Sequence, residues 1–237
     1  MLPKISHPTF DATVPSTKKK IRLRPMLVKE EKILLMAKTS KDDTDIFTAI
    51  KQVVNNCIIT PNIDVDEFTI FDLEYLFIKL RSASVSNLAK VSYVDKEDEK
   101  VYEFRVDLNK VEVEFPEDIK NAIKITDDII ISMKYPSAKL FENKEFLSID
   151  NQEEYIDFLL FSCVDKIYQG DTVLELKSFT REQLNEFIDN LSISSFDNIK
   201  NFFNKMPFIK YELSYTNSLG NERKILLSNL NDFFMLR

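Results

Sequence analysis

Glycine is almost missing from this chain. Only Gly170 and Gly220 occur among 237 residues, where average usage corresponds to roughly seventeen. Two glycines 50 residues apart exclude a glycine-rich phosphate loop or a dinucleotide fingerprint, which need several within one turn. Histidine is scarcer still. His7 is the only one, and prolines flank its segment, which argues against a Ser-His-Asp or Cys-His catalytic device. Cys57 and Cys163 are the only cysteines. Both lie in apolar, helix-like runs and read as free, buried thiols in a reducing compartment. A structural zinc site takes about four Cys or His ligands, and the chain offers three, far apart. No run approaches the roughly eighteen apolar residues of a membrane span. The first residues lack the apolar core of a signal peptide. The expectation is a soluble protein, intracellular where it is made, with no cofactor and no metal.

What is present supports a sizeable core. Apolar residues make up 44% and aromatics 11%, which excludes a disordered, solvating tail. The length allows one large domain or two small ones. Thirty-two basic and 39 acidic residues leave a net charge of −7, the wrong sign for a general nucleic-acid binder.

Along the chain, Pro3, Pro8 and Pro15 make residues 1–17 an extended arm. Residues 18–24 alternate as a strand, with Ile21 and Leu23 on one side and Lys20, Arg22 and Arg24 on the other. This basic run reads as the charged face of an edge strand or as a phosphate patch. Helical spacing follows over 28–38, with Ile33, Leu34 and Ala37 as its stripe, and over 45–58, through Ile46, Phe47, Ile50, Val53, Val54 and Cys57. Thr69 with Asp72 three residues on is a capping box that opens a third, central helix. The period changes to two over 90–115, which predicts a hairpin or meander with one wet face. Residues 129–133 form a further strand. A helix is expected from Asp150 to about Tyr168, stopped by Gly170. Thr180 with Gln183 caps another, and Ser194 or Ser195 opens one more. A second hairpin pairs 209–215 with 223–227, and an apolar turn over 230–236 closes the chain. The fold class is α+β, mostly helical, with two β-hairpin or meander segments and an extended N-terminal arm. The division is an arm (1–17), a first region (18–140) and a second (141–237), with a soft boundary near Pro136.

A weak echo links the two hairpins. Ser92-Tyr93 precedes Leu108-Asn109 by 16 positions, and Ser214-Tyr215 precedes Leu230-Asn231 by the same step. A duplicated helix-then-hairpin unit and chance similarity both account for it.

Chemistry is sparse. The acidic clusters at Asp42-Asp43, residues 95–99, Asp127-Asp128 and Glu153-Glu154 sit in turns or at helix starts, where solvation or capping suffices. Asp64, Asp66 and Glu67 lack the glycine and spacing of a calcium loop. The pairs Phe202-Phe203 and Phe233-Phe234 point about 100° apart if helical. They read as a wide core stripe or as docking knobs, and the chain's end favours docking for Phe233-Phe234.

The residues then become recognisable as a set. His7-Pro8-Thr9-Phe10, Val14-Pro15-Ser16-Thr17, Ile21-Arg22-Leu23-Arg24-Pro25-Met26 and the stretch from Lys29 through Ala37 come first. The stretch from Phe71 through Ser84, the one from Phe179 through Leu191, and Leu230-Asn231-Asp232-Phe233-Phe234 follow in order. Together they resemble the baseplate hub proteins of T-even-type contractile-tailed phages, a family that includes a hub subunit and a related hub assembly catalyst. The resemblance implies a non-enzymatic structural component of the baseplate hub, or an assembly chaperone that binds hub or tape-measure protein and leaves. It implies other baseplate hub and tail proteins as partners, with no membrane, nucleic acid or small-molecule substrate. It places the chain in the virion tail, and in the host cytoplasm during assembly. Some relatives carry Cys pairs in the hairpin turns, like halves of a zinc ribbon. Here those turns read 94–98 and 216–220 without cysteine, so no metal is expected. The expected protein-interface residues are Phe10 in the arm, Arg24 on the strand, and Phe233 with Phe234. Arg24 has a competing reading as an internal ion pair with Glu30 or Glu31. A carboxylate-pair hydrolase and a nucleic-acid binder using residues 18–24 are the disfavoured alternatives.

Overall fold

The N-terminal segment is built into the fold rather than left as an arm. In the computed structural model, which describes residues 5–39, 43–117 and 120–234, Phe10–Thr13 (β1) pairs antiparallel with Lys20–Leu23 (β2). Val14, Ile21 and Leu23 are buried. Val28–Thr39 (α1) and Asp43–Cys57 (α2) follow, with Glu30 and Glu31 at the positive end of α1. Ile70–Ser84 (α3) buries Phe71, Asp72, Leu73, Leu76, Phe77, Ile78 and Leu80, so it is covered on most sides. Its capping box forms as the sequence predicts: Asp72 N–H donates to Thr69 Oγ1 at 3.2 Å, and Thr69 N–H donates to Asp72 Oδ2 at 3.0 Å. Asp72 does a second job. Its Oδ1 accepts the Ser16 N–H at 2.8 Å, which ties the β1–β2 turn to the helix start.

Leu88–Val94 (β3) and Val101–Asp107 (β4) form the first hairpin, and Glu112–Glu114 (β5) follows a 3-10 turn. The Lys79 ammonium donates to the carbonyls of Leu108, Asn109 and Val111 at 3.4, 3.0 and 3.2 Å. These are acceptors of the turn after β4, and the ammonium holds that turn against α3.

The chain divides into two compact units, residues 1–114 with 208–237, and residues 115–207. The boundary expected near 135–149 falls inside the second unit. That unit holds Ala122–Lys124 (β6), Ile129–Met133 (β7), Lys144–Leu147 (α4), Gln152–Cys163 (α5), Val164–Gln169 (β8), Thr172–Glu175 (β9), Arg181–Asp189 (α6) and Ile193–Asn204 (α7). Its sheet runs β6-β7-β8-β9, all antiparallel. Ile131, Met133, Leu160, Val164, Leu184, Ile199 and Phe202 pack between sheet and helices. The first unit then resumes with Phe208–Thr216 (β10), Glu222–Leu227 (β11) and Leu230–Phe234 (α8). β10 pairs with β5, with Phe208 opposite Glu114, so the inserted unit leaves and re-enters through neighbouring strands. Ile78, Val91, Val106, Leu108, Val111, Ile209, Leu227 and Phe233 form a core that joins α3 to both hairpins and α8.

The expected fold class needs correction. The protein is 42% helical and 28% strand, with four sheets and eight helices among the described residues. It is α+β but not mostly helical, and strands extend well beyond two hairpins. The largest departure is at 164–168, expected to continue a helix. α5 ends at Cys163 and the chain becomes β8. Gln169 lies opposite Thr172, so Gly170-Asp171 is a two-residue hairpin loop. Gly170 sits at φ +54°, and glycine at the first loop position is the signature of a type II′ turn. The glycine that reads as a helix stop is a hairpin corner. Strand β1 was also not foreseen, because prolines on both sides mask a four-residue strand. Asp42 and Leu236 lie outside the described residues.

Replacing Gly170 by alanine forces a left-handed conformation on an L residue and sets a methyl 3.1 Å from Asp128 Oδ1. Urea unfolding of Gly170→Ala is expected to show a loss of about 1–2 kcal/mol with an unchanged m value. An unaltered midpoint would contradict the turn assignment.

Candidate protein-docking site

Arg24 is committed to the interior. Its guanidinium forks onto Glu30, Nη2 to Oε1 at 2.9 Å and Nη1 to Oε2 at 3.1 Å. It also donates to the Pro25 carbonyl at 3.0 Å and the Asn56 carbonyl at 2.8 Å. The Glu30 side chain is 0% exposed and that of Arg24 18%. The Leu27 N–H adds a bond to Glu30 Oε2 at 2.9 Å. Burial pushes the Glu30 carboxyl up, but the Arg24 and Leu27 hydrogen bonds outweigh it and hold the group below its ordinary value. This one pair joins the end of β2, the start of α1 and the end of α2. Cys57 lies beside it, and burial pushes its thiol up to about 11. Cys163 is likewise buried and free. Neither thiol is poised as a nucleophile.

The C-terminal phenylalanines also turn inward. Phe233 is buried. Phe234 is half-buried and meets Phe77 edge to face, with ring centroids 5.8 Å apart. Together they seat α8 on α3.

Phe10 has a different setting. It is half-buried, at the start of β1. The far side of β2 is occupied, because Arg22 N–H donates to Thr60 Oγ1 at 2.8 Å and Ile59 N–H to the Arg22 carbonyl at 2.8 Å. Among the described residues the far side of β1 carries no strand. Val14 N–H donates to the Lys19 carbonyl, and alternation along the ladder then turns the backbone groups of Asp11 and Thr13 outward. That edge borders a wide, open cleft lined by Phe10, Asp11, Ala12, Thr13, Tyr75 and Ser82. An unpaired strand edge beside a groove is what an extended peptide needs in order to add as a strand.

The two hairpin tips meet. Asp95 is fully buried and Asn217 is 5% exposed. Tyr215 donates its hydroxyl to Asp95 Oδ2. Asn217 Nδ2 donates to Glu97 Oε2 and Asn221 Nδ2 to Glu97 Oε1, both at 2.7 Å. Ser218 N–H donates to Asp98 Oδ2 at 3.0 Å and to Tyr102 Oη at 2.6 Å. Arg223 lies 3.4 Å from Asp95 and 3.5 Å from Glu97. The Tyr215 hydroxyl and the Glu97 N–H hold the Asp95 carboxyl below its usual value despite burial. Burial and then Asp95 push the Tyr215 phenol up to about 12. Asp95 and Asn217 also serve equivalent turns: Asp95 Oδ1 accepts the Glu97 N–H at 2.8 Å, and Asn217 Oδ1 accepts the Leu219 N–H at 3.1 Å. The two turns are legible in the sequence; the polar knot between them, which joins residues 120 apart, is not.

Among the described residues no cluster of three or more His, Cys, Asp and Glu is disposed to hold a metal. None of their helices is long and apolar enough to cross a membrane. A family model described as T4 bacteriophage base plate protein matches residues 7–235. The chain belongs to this family. No curated protein and no solved structure matches it. A T4-type baseplate protein is a phage structural protein of the virion tail, and its neighbours are other tail and baseplate proteins. Membership covers both compact units, since the match spans the inserted residues as well.

In this baseplate protein, Arg24→Ala leaves the buried Glu30 charge with only the exposed Lys29 ammonium, 3.7 Å away. The expected loss is about 3–5 kcal/mol in chemical unfolding. Arg22→Ala removes an exposed pair with Asp11 and should cost less than about 1 kcal/mol. Equal, small losses for both would contradict the internal assignment of Arg24. The Glu30 contribution is present above its unfolded value, and it fades as pH falls through the depressed folded value.

Proposed function

We propose that this baseplate protein is a non-enzymatic structural component of the baseplate hub. It is assembled in the host cytoplasm, is retained in the finished tail, and holds an extended segment of a neighbouring hub or tail protein along β1. The observation that carries the reading is the open edge of β1 beside its cleft. Main-chain hydrogen bonds from Asp11 and Thr13 supply affinity, and Phe10 is the apolar anchor at the end of the strand. Of the four residues expected at an interface, Phe10 is the one whose setting supports that role. Arg24, Phe233 and Phe234 serve docking indirectly, by fixing β2 and α8. The resemblance to hub proteins supports the placement within the baseplate.

Quantitative mass spectrometry of purified virions tests the reading, with amine cross-linking of the same particles. The expected result is this chain in fixed stoichiometry with the major tail proteins, and cross-links from Lys20, which lines the cleft, to a tail protein. Abundance in infected-cell lysate with absence from virions would overturn retention and identify an assembly factor that leaves.

A further inference from the structure

A second cleft lies elsewhere in the first unit, where α2, α3 and the start of α8 converge. Its volume is about 170 Å³, and Ile46, Ile50, Ile70 and Leu73 supply apolar walls. Glu74 lines the same cleft, with Asn231. Glu74 Oε1 accepts the Leu230 N–H at 3.2 Å, which leaves Oε2 without a donor among the described residues. Among the described residues no cation pairs with it. Acid–base chemistry does not explain this carboxylate, because no second catalytic group accompanies it. Core packing does not explain it either, since the residue is half-buried and its free oxygen faces the cleft, where a carboxylate on an apolar wall is costly unless a partner or water answers it.

We infer that this cleft is a receptor for a lysine or arginine side chain presented by a neighbouring protein. The chemistry of the walls and of the carboxylate calls for one ligand type. An aliphatic stem matches the isoleucine and leucine surface, and a cationic head answers the unpaired oxygen. A purely apolar side chain leaves the charge uncompensated. A free inorganic cation leaves the walls wet. An acidic or neutral polar side chain meets a carboxylate of the wrong sign or no charge match.

The titration of the group agrees. Burial, with Asp232 on α8 adding repulsion, pushes the Glu74 carboxyl up to about 7, against the pull of the Leu230 N–H. Asp232 on α8 is the charged group that adds to the shift; α2 carries Asp45 and Lys51, and α3 carries Asp72, Lys79 and Arg81. The group is therefore neutral at about pH 5 and ionised at about pH 8.5, and cation capture strengthens as pH rises between them. The site stands whether or not the chain is retained in the virion.

The test is carbon-13 NMR of the Glu74 carboxyl in the full chain. The probes are Nα-acetyl-lysine methylamide and Nα-acetyl-arginine methylamide, with Nα-acetyl-norleucine methylamide as the uncharged match. Without probe the carboxyl should titrate near 7. With a cationic probe in excess its midpoint should fall by about one unit, and the Leu230 amide signal should shift. Glu74→Gln keeps an acceptor for the Leu230 N–H. It should retain a native amide spectrum and show no probe response. Three results would overturn the inference. The first is titration of Glu74 in the ordinary carboxylate range without probe, which means the group is hydrated or already paired and has no need of a cation. The second is an equal Leu230 response to the norleucine probe. The third is an undiminished response in Glu74→Gln.

Discussion

Everything in the first unit depends on residues 208–234 returning to a body built more than ninety positions earlier. The polar knot at the hairpin tips is the strongest expression of that constraint. Tyr215 and Asp95, Asn217 and Glu97, and Ser218 and Asp98 are each 120 residues apart in sequence. Two other contacts share the task. β10 lies beside β5, and Phe233 enters the core around Ile78. The knot differs from these in being directional. Apolar packing tolerates sliding, whereas a buried carboxylate with defined donors fixes register and orientation. Tyr93, Tyr102 and Phe104 surround the Tyr215 ring, so the hydroxyl is aimed by packing on several sides.

This knot stands where the resemblance drawn from the sequence would put cysteine pairs. A metal joins two turns through a few strong bonds. Here a carboxylate, amides and a phenol join them through many weaker ones. The exchange has a physical consequence: the clamp depends on ionised carboxylates and loosens in acid rather than under chelation. Asp95 and Glu30 both lie below their ordinary values, so both contribute stability at neutral pH that fades as pH falls. With the interior secured this way, the β1 edge can stay unpaired on the outside. Lys20 and the Arg22–Asp11 pair line the strands there, and such charge is the usual protection of an open edge against unwanted pairing.

Local signals in the sequence were legible, and contacts over long separations were not. The capping boxes at Thr69 and Thr180 both form, because the residues involved are three apart. The spacing of Ile46 through Cys57 matches α2 for the same reason. Gly170 was visible but ambiguous: a glycine ends a helix or turns a hairpin, and only the pairing of Val173 with Tyr168 decides. The α5-to-β8 change occurs between Cys163 and Val164, without a proline or glycine at the joint. The candidate interface was harder still. Arg24 and Phe233 have the composition of docking residues, but burial assigns them inward, and burial is a property of partners distant in sequence. Phe10 carries no signal of the open strand edge beside it, because which edges stay unpaired depends on the whole sheet. Glu74 carried no sequence signal at all, being one acidic residue in an apolar helix.

The most direct measurement is the unfolding free energy of Asp95→Ala, Tyr215→Phe and the double variant beside the parent chain, at neutral pH. If the knot clamps the returning segment, each single change destabilises, and the double change costs no more than the larger single one, because both remove the same bond. Losses that simply add would show that the two residues act separately, and would contradict the knot as the clamp on which the first unit depends.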